Sequence, residues 1–395
     1  MKLKPELLQG IYSMKFTEPS RIQAKSLPVI LEKNINLIAQ SQSGTGKTAC
    51  FALGMLQAVD ESNPATQCIC ICPAFELANQ IYEVVKGLGQ HTKITITQTV
   101  KGSNFASQVT GQILIGTPGK VEDLLKRRKI DAKAIKLLVL DEADAMLDEG
   151  SNQLRDQSIL IKNKLPNTCR VLLFSATFKE DENDKEGADK ERKIHEFAEK
   201  IVPKPFETML IPKEQLTLKH MKQFVVRCKD EEEKINIIKD IYETLKIGQS
   251  MIFVNTKNYA DKLTELLRQF GFTISLLHGG LEVEERKKVL SEFKLGLAKV
   301  LIATNVLSRG LDISTVTHVI NFDLPTVRDE QTGQFSPDFA TYLHRIGRTA
   351  RFGKKGYAIN LTRGPRDEQT VQSFREYFKT TIEDVPADEI DEKIK

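Results

Sequence analysis

The sequence predicts an α/β protein of two tandem domains, each a mostly parallel sheet with helices on both faces, joined by a short linker. Three observations predict it. The 395 residues exceed what one hydrophobic core of ordinary size serves. Short runs that are apolar on both faces alternate with longer helical stretches, the pattern of parallel strands covered by helices. That series then runs a second time, after an interruption that is first highly charged and then proline-bearing.

In the first series the strand runs are residues 35–39, 68–72, 113–115, 137–140 and 171–174, with helical stretches such as 48–59 and 76–85 between them. Residues 179–193 carry dense charge of both signs and read as a solvated insertion or helix start. Pro203, Pro205 and Pro212 follow. The first domain is therefore expected at 1–210, the linker at 211–221 and the second domain at 222–395. Strand runs of the second series are 251–254, 300–303, 318–322 and 357–361. This series has no Gly-rich Lys-Thr loop, so a single nucleotide site is expected, with its loop in the first half.

Composition narrows the class. The apolar fraction of 40% and charged fraction of 28% are those of a globular chain. Lys and Arg total 57 against 53 Asp and Glu, a net charge of only +4 that gives a weak hint of a polyanionic partner. No apolar run approaches a membrane span, no signal-peptide core opens the chain, and no membrane insertion is expected. Cys68, Cys70 and Cys72 alternate with Ile69 and Ile71 and so share one strand face, where buried thiols are expected rather than zinc ligands or disulfides.

The chemistry is concentrated in two motifs. Ser41-Gln42-Ser43-Gly44-Thr45-Gly46-Lys47-Thr48 lies between a strand and a helix, the context that a phosphate-binding loop needs. Glycines let backbone N–H groups turn around phosphate oxygens, Lys47 reaches the β- and γ-phosphates, and Thr48 ligates Mg²⁺. Ser41 stands where the strict pattern has Gly, and a Gly-rich turn with a chance Gly-Lys-Thr is the competing reading. Asp141, at the end of the apolar run 137–140, is placed for a magnesium carboxylate, and Glu142 for orienting and deprotonating a water. A solvated acidic turn before a helix would look similar, but each motif supplies what the other lacks. ATP and Mg²⁺ are the expected cofactors.

With Asp141-Glu142-Ala143-Asp144 in hand, the chain resembles the DEAD-box RNA helicases over essentially its whole length. The resemblance implies two RecA-like domains and RNA-stimulated ATP hydrolysis that drives local strand separation and RNP remodelling. Phe16, Pro19, Ile22 and Gln23 resemble the adenine-recognition motif, in which the aromatic stacks on the base and the Gln reads its edge. Ser175-Ala176-Thr177 resembles the motif that couples hydrolysis to RNA work, with Asp144 and His344 as its expected partners. Ala303-Thr304-Asn305, Ser308-Arg309-Gly310 and Asp312 resemble the motif shared between RNA and ribose. In His344-Arg345-Ile346-Gly347-Arg348-Thr349-Ala350-Arg351, Arg348 and Arg351 are the implied arginine fingers; alone, these arginines would read as a basic surface patch. RNA contacts are implied at Pro73 and the residues through Ala78, at Lys101-Gly102, and at Thr117, Pro118, Gly119 and Lys120 in the first half. In the second half they are implied at Thr256, Gly279-Gly280, Arg286, Thr304 and Asn305. Amides, hydroxyls and a few cations suit phosphates and 2′-hydroxyls, so sequence-independent binding of single-stranded or short duplex RNA is expected.

Phe75, Lys101, Lys120, Val283 and Ala350 depart from the family's commonest residues. Ser41 with its neighbours, Val283, Asp156-Gln157-Ser158 and the long segment 327–339 resemble the branch that exports mRNA at the nuclear pore. That branch implies action at the cytoplasmic side of the pore, within a nuclear and cytoplasmic distribution. It also implies a propeller nucleoporin partner and an activator acting with inositol hexakisphosphate. Its members carry an N-terminal regulatory extension, which the short run before Phe16 does not hold, so that autoregulation is expected to be missing or to lie outside these residues. A monomer is expected. The rival readings are a translation-initiation-type helicase, a nucleotide-gated RNA clamp with little turnover, and a DNA helicase or translocating motor.

Overall fold

The structure, a computed structural model, describes residues 3–41, 44–99, 108–146, 152–176, 198–211, 220–244, 248–304, 313, 315–328, 333–350 and 355–394. The chain divides into two compact units, with the division between Ile211 and Pro212.

The first unit holds strands β1 (Asn36–Gln40), β2 (Cys68–Ile71), β3 (Ile96–Thr99), β4 (Ile113–Gly116), β5 (Leu137–Leu140), β6 (Arg170–Ser175) and β7 (Phe206–Met209). They form one seven-stranded sheet in the order β3-β4-β2-β5-β6-β1-β7, parallel throughout. Alternate residues of each central strand feed cores on opposite faces. Cys68 and Cys70 pack with Phe51, Met55 and Ile81 on one face, while Ile69 and Ile71 pack with Leu124, Leu138 and Leu173 on the other. All six cysteines are buried and free.

Fold class and the first unit's central strands follow the sequence reading, with ends shifted by a residue or two. Two edge strands of the first unit lacked an apolar run to announce them: β3 has one apolar residue, Ile96, among Thr97, Gln98 and Thr99, and β7 is only half-buried. The buried Asn36 attaches the edge segment before β7, donating to the carbonyls of Pro203 at 2.7 Å and Pro205 at 3.0 Å, while its Oδ1 accepts from Val171 N at 2.7 Å.

The second unit contains β8 (Met221–Arg227), β9 (Gln249–Val254), β10 (Ile274–Leu277), β11 (Val300–Thr304), β12 (Val316–Asn321), β15 (Gly356–Thr362) and β16 (Glu383–Asp384). Their order is β10-β11-β9-β12-β15-β8-β16, again all parallel. Met221, expected in the linker, instead opens β8, because its strand continues into the buried run Gln223–Val226; β8, β10 and β16 are strands that the sequence reading left out. The long segment before the histidine motif carries an antiparallel hairpin of β13 (Thr326–Arg328) and β14 (Phe335–Pro337).

Parallel register puts every strand's carboxyl end on one edge of each sheet. In the first unit Gln40 pairs with Ser175, and Ile71 with both Leu140 and Gly116. The loops that follow these residues are the ones the sequence singled out. Loops at the carboxyl edge of an open parallel sheet are where ligands of such folds bind.

Candidate active site

The phosphate-loop region is held by backbone and side-chain bonds from three directions. Ser41 N donates to Ser175 O at 3.1 Å, and Gln40 Nε2 to Ala176 O at 3.2 Å, so the loop's start is tied to the Ser175-Ala176 strand end. Gly44 (φ +75°) and Gly46 (φ +91°) take left-handed conformations that favour glycine, and helix Lys47–Ala58 begins directly after. Ser41 and Thr45 hydroxyls bond each other, and Lys47 Nζ donates to Ser41 O at 2.7 Å. Thr48 is half-buried in the helix's first turn. Gln42 and Ser43 lie outside the described residues.

Ser20 and Gln23 approach from the N-terminal side through a capping box on helix Arg21–Pro28. Ser20 N donates to Gln23 Oε1 at 2.8 Å, Gln23 Nε2 donates to Gly46 O at 3.1 Å, and Ser20 Oγ donates to Thr45 O at 2.7 Å. The expected adenine-motif Gln is thereby brought onto the phosphate loop. A Cβ at Gly46 would collide with its amide. Ser20 was missed as a loop-contacting residue, although the Ser20-x-x-Gln23 spacing is a readable capping signal. Phe16, 40% exposed, offers its ring to solvent.

Asp141 and Glu142 follow β5. Asp141 N donates to Ile71 O at 3.0 Å, and its Oδ1 accepts from Glu142 N at 3.0 Å. Glu142 takes φ +52°, a left-handed conformation that costs a non-glycine residue about 1–3 kcal/mol and that turns the chain into the short helix Ala143–Met146. Burial, then the neighbouring Glu142 charge, push the Asp141 carboxyl up to about 7, with the Lys47 ammonium opposing. The reading as a solvated acidic turn fails here: Asp141, Glu142 and Asp144 are all buried. Concentrated, desolvated negative charge beside a phosphate loop is a donor set that a divalent cation relieves. Among the described residues no group of three or more His, Cys, Asp or Glu is arranged as a protein-only metal cage. Mg²⁺ held chiefly through substrate phosphates needs none.

Of the implied RNA residues in this unit, Pro73 follows β2, and Thr117, Gly119 and Lys120 open helix Pro118–Lys126. Val121 N and Lys120 N both donate to Thr117 O at 3.1 Å. A Cβ on Gly119 would meet the Gln157 amide at 3.2 Å, so Gln157 of the branch-marking triplet packs against this turn. Phe75, where the family usually has arginine, is buried at the start of helix Phe75–Leu88. Gly102, Lys101 and Thr177 lie outside the described residues.

In the second unit Thr256 caps helix Lys257–Gln269, its Oγ1 accepting from Tyr259 N at 3.2 Å. Gly280 N donates to His278 Nδ1 at 3.0 Å, and His278 Nε2 sits 3.1 Å from Asp261 Oδ1, which shapes the Gly279-Gly280 turn. Arg286 is half-buried in helix Val283–Lys294, and Thr304 is buried at the end of β11. His344 and Arg345 belong to helix Phe339–Ile346, and Arg348 follows it, its Nε donating to His344 O at 2.8 Å. The basic-patch reading of these arginines does not hold for Arg345 and Arg348, which are buried. Asn305, Asp312 and Arg351 lie outside the described residues. Asn255, Asn321 and Asp323, which hold Arg345, were not anticipated, because amides at strand ends carry no pattern of their own.

A glycine-bracketed loop running into Lys47, a buried carboxylate pair on the neighbouring strand end, and a helix bearing His344 and Arg345 in a second parallel-sheet unit together define a helicase core. Residues 20–185 match the DEAD/DEAH box helicase family, and residues 233–353 match the helicase conserved C-terminal domain. The chain belongs to the DEAD-box ATP-dependent RNA helicases. It is 44% identical to the ATP-dependent RNA helicase DBP5 of Lodderomyces elongisporus, over 99% of this chain and 73% of that protein. The structure of S. cerevisiae Dbp5 bound to RNA and ADP BeF3 matches with a TM-score of 0.90 at 42% identity, covering 99% of this chain and 96% of that one. A S. cerevisiae Dbp5 variant bound to Nup159, a Gle1 variant, IP6 and ADP matches with a TM-score of 0.68 at 41% identity, covering 100% and 98% of the two chains.

Proposed function

We propose that this chain couples ATP hydrolysis to local unwinding of short RNA duplexes and to release of proteins from RNA, in mRNA export at the cytoplasmic side of the nuclear pore. The observation that carries the catalytic part is the buried Asp141–Glu142 pair beside Lys47 and the phosphate loop. Phe16 and Gln23 hold adenine, residues 41–48 hold the phosphates, and Asp312 holds the ribose. Thr48 and Asp141 would hold Mg²⁺, which when bound neutralises phosphate charge. Glu142 orients a water and takes its proton, and Arg348 and Arg351 stabilise charge on the transferring phosphoryl group.

RNA is gripped through its backbone by Pro73, Gly102, Thr117, Gly119 and Lys120, and by Thr256, Gly279, Arg286, Thr304 and Asn305. Asp144, Ser175, Thr177 and His344 couple that grip to hydrolysis. The likeness to Dbp5 proteins, one of them in a structure with Nup159, Gle1 and IP6, supports the export assignment and the pairing with a propeller nucleoporin and an inositol-hexakisphosphate-dependent activator.

RNA-stimulated ATPase of the wild type, Lys47→Ala and Glu142→Gln tests the catalytic reading; full activity in both variants would sink it. Binding of the purified chain to the nucleoporin propeller and to the activator with inositol hexakisphosphate tests the export reading. Binding to neither would favour a translation-initiation-type helicase.

A further inference from the structure

The second unit contains a continuous chain of hydrogen bonds that no role above uses. It starts at the exposed Asn255, one residue before Thr256. Asn255 Oδ1 accepts from Arg345 Nη2 at 3.0 Å. Arg345 Nη1 donates to Asn321 Oδ1 at 3.1 Å and to Asp323 O at 2.6 Å. Asn321 Nδ2 donates to Asn360 Oδ1 at 2.9 Å, and Asn360 Nδ2 donates to Phe224 O at 3.0 Å and to the Tyr342 hydroxyl at 3.2 Å. Tyr342 in turn donates to Gln223 Oε1 at 2.7 Å. The outer end is closed by Asn255 itself, whose N donates to Asp323 Oδ2 at 2.9 Å and whose Nδ2 donates to Leu324 O at 3.1 Å.

Arg345 is the junction. It is fully buried, with its guanidinium 5.2 Å from the centre of the Phe253 ring. Its side chain grips the ends of β9 and β12, and its own carbonyl accepts from Arg348 N at 3.1 Å. A planar fork with three acceptors fixes an orientation that a lysine ammonium does not reproduce. We propose that Arg345 is a positioning residue that joins the strand end carrying Asn255 and Thr256 to the turn carrying Arg348, so that RNA engagement at Thr256 and alignment of Arg348 share one rigid element. The proposal rests on the reading of Thr256 as an RNA contact and of Arg348 as a finger.

The test is steady-state RNA-stimulated ATPase and thermal unfolding of the full chain, using Asn255→Ala, Arg345→Lys and the double variant. At saturating RNA and ATP each single variant is expected to lower kcat by about ten- to a hundredfold, the scale set by small misplacements of a reacting group. Half-saturating RNA and ATP stay unchanged, and the double variant falls no further than the worse single one. Tyr342→Phe cuts the far end of the chain of bonds and is expected to lower the melting temperature with kcat intact. The proposal is overturned by losses that multiply in the double variant, by a loss expressed only as a higher RNA requirement, or by an Arg345→Lys that behaves like Tyr342→Phe. If Arg345→Lys fails to fold, the exposed Asn255→Ala carries the test through kcat alone. Arg348→Lys separates the two readings. Full activity there sinks the finger assignment, whereas an inactive Arg348→Lys beside an unimpaired Asn255→Ala sinks only the link.

Discussion

At the carboxyl edge of the first sheet sits a buried carboxylate whose proton affinity is raised to about 7. At the carboxyl edge of the second sits a buried guanidinium enclosed by Asn255, Asn321 and the Asp323 carbonyl. The two sheets have the same seven-stranded parallel design, yet they solve the buried-charge problem in opposite ways. At the first edge burial and the Glu142 charge outweigh the Lys47 ammonium, which suits it to the proposed metal-bound nucleotide. The second satisfies its own charge with fixed dipoles and so is built to stay in one geometry. Burial also pulls Arg345 down, to about 9, with Asp323 and Asp338 opposing, which leaves it a cation at neutral pH. The contrast teaches that one scaffold can carry a receptive edge and a rigid edge, and that the placement of a few polar side chains decides which.

The largest expected effect is on the receptive edge. Glu142→Gln keeps shape and removes the proposed base, and should lower RNA-stimulated kcat by about 10²–10⁴-fold with little change in nucleotide affinity. Lys47→Ala should abolish turnover and weaken nucleotide binding as well, because its ammonium offsets the Asp141 charge and, in the proposed reading, contacts phosphate. Single-turnover hydrolysis with separately measured nucleotide binding distinguishes the two outcomes. If Glu142→Gln keeps most of its hydrolysis rate, the base lies elsewhere.

Asp141→Asn tests whether burial does outweigh the Lys47 ammonium at this edge. A carboxyl raised from 3.8 to about 7 in the folded protein binds its proton more tightly than in the unfolded chain. Its contribution is fully present below about pH 4 and is lost as pH rises through about 7. The loss amounts to roughly 4 kcal/mol at most, from about three units at 1.36 kcal/mol each. Nucleotide-free wild type in EDTA should therefore lose denaturant resistance from pH 5 to pH 8. Asp141→Asn should flatten that slope and be the more stable of the two at pH 8. Equal slopes would mean that the edge is already compensated.

On the rigid edge, Asn360→Ala removes a fully buried amide that serves Asn321, Phe224 and Tyr342. Stranding buried partners costs about 1–3 kcal/mol each. Urea unfolding should show a loss of that order that does not depend on pH between 5 and 8, in contrast to Asp141. A loss smaller than that of an exposed amide would show that water replaces the network.

Legibility in the sequence follows the same division. The receptive edge was readable because its parts are local. Gly44, Gly46, Lys47 and Thr48 are near neighbours, and the buried run before Asp141 is uninterrupted. The rigid edge was not readable, because Asn255, Asn321, Arg345 and Asn360 lie on four separate segments that only the β9-β12-β15 order brings together. Edge strands were missed for a related reason. β3 has one apolar residue in four, and β7 has Phe206 and Met209 separated by Glu207 and Thr208, so neither forms an apolar run. Ser20 and Gln23 fall between the two cases: the capping box is local, but its reach to Gly46 and Thr45 depends on packing.

The smallest effect concerns Thr256, where the rigid edge meets the expected RNA. Its Oγ1 already accepts from Tyr259 N, so loss of the cap alone explains about 1 kcal/mol of any stability change on Thr256→Ala. Alanine therefore does not separate the cap from an RNA contact. Thr256→Asp does, because aspartate is an equally good cap and adds a charge that repels phosphate. The expected outcome is an unchanged melting temperature together with a higher RNA concentration for half-maximal ATPase, and a difference that shrinks as salt is raised because the repulsion is screened. If Thr256→Asp binds RNA as the wild type does, capping is this residue's whole role. The proposed link through Asn255 and Arg345 would then have to begin at another RNA-facing residue of the same edge.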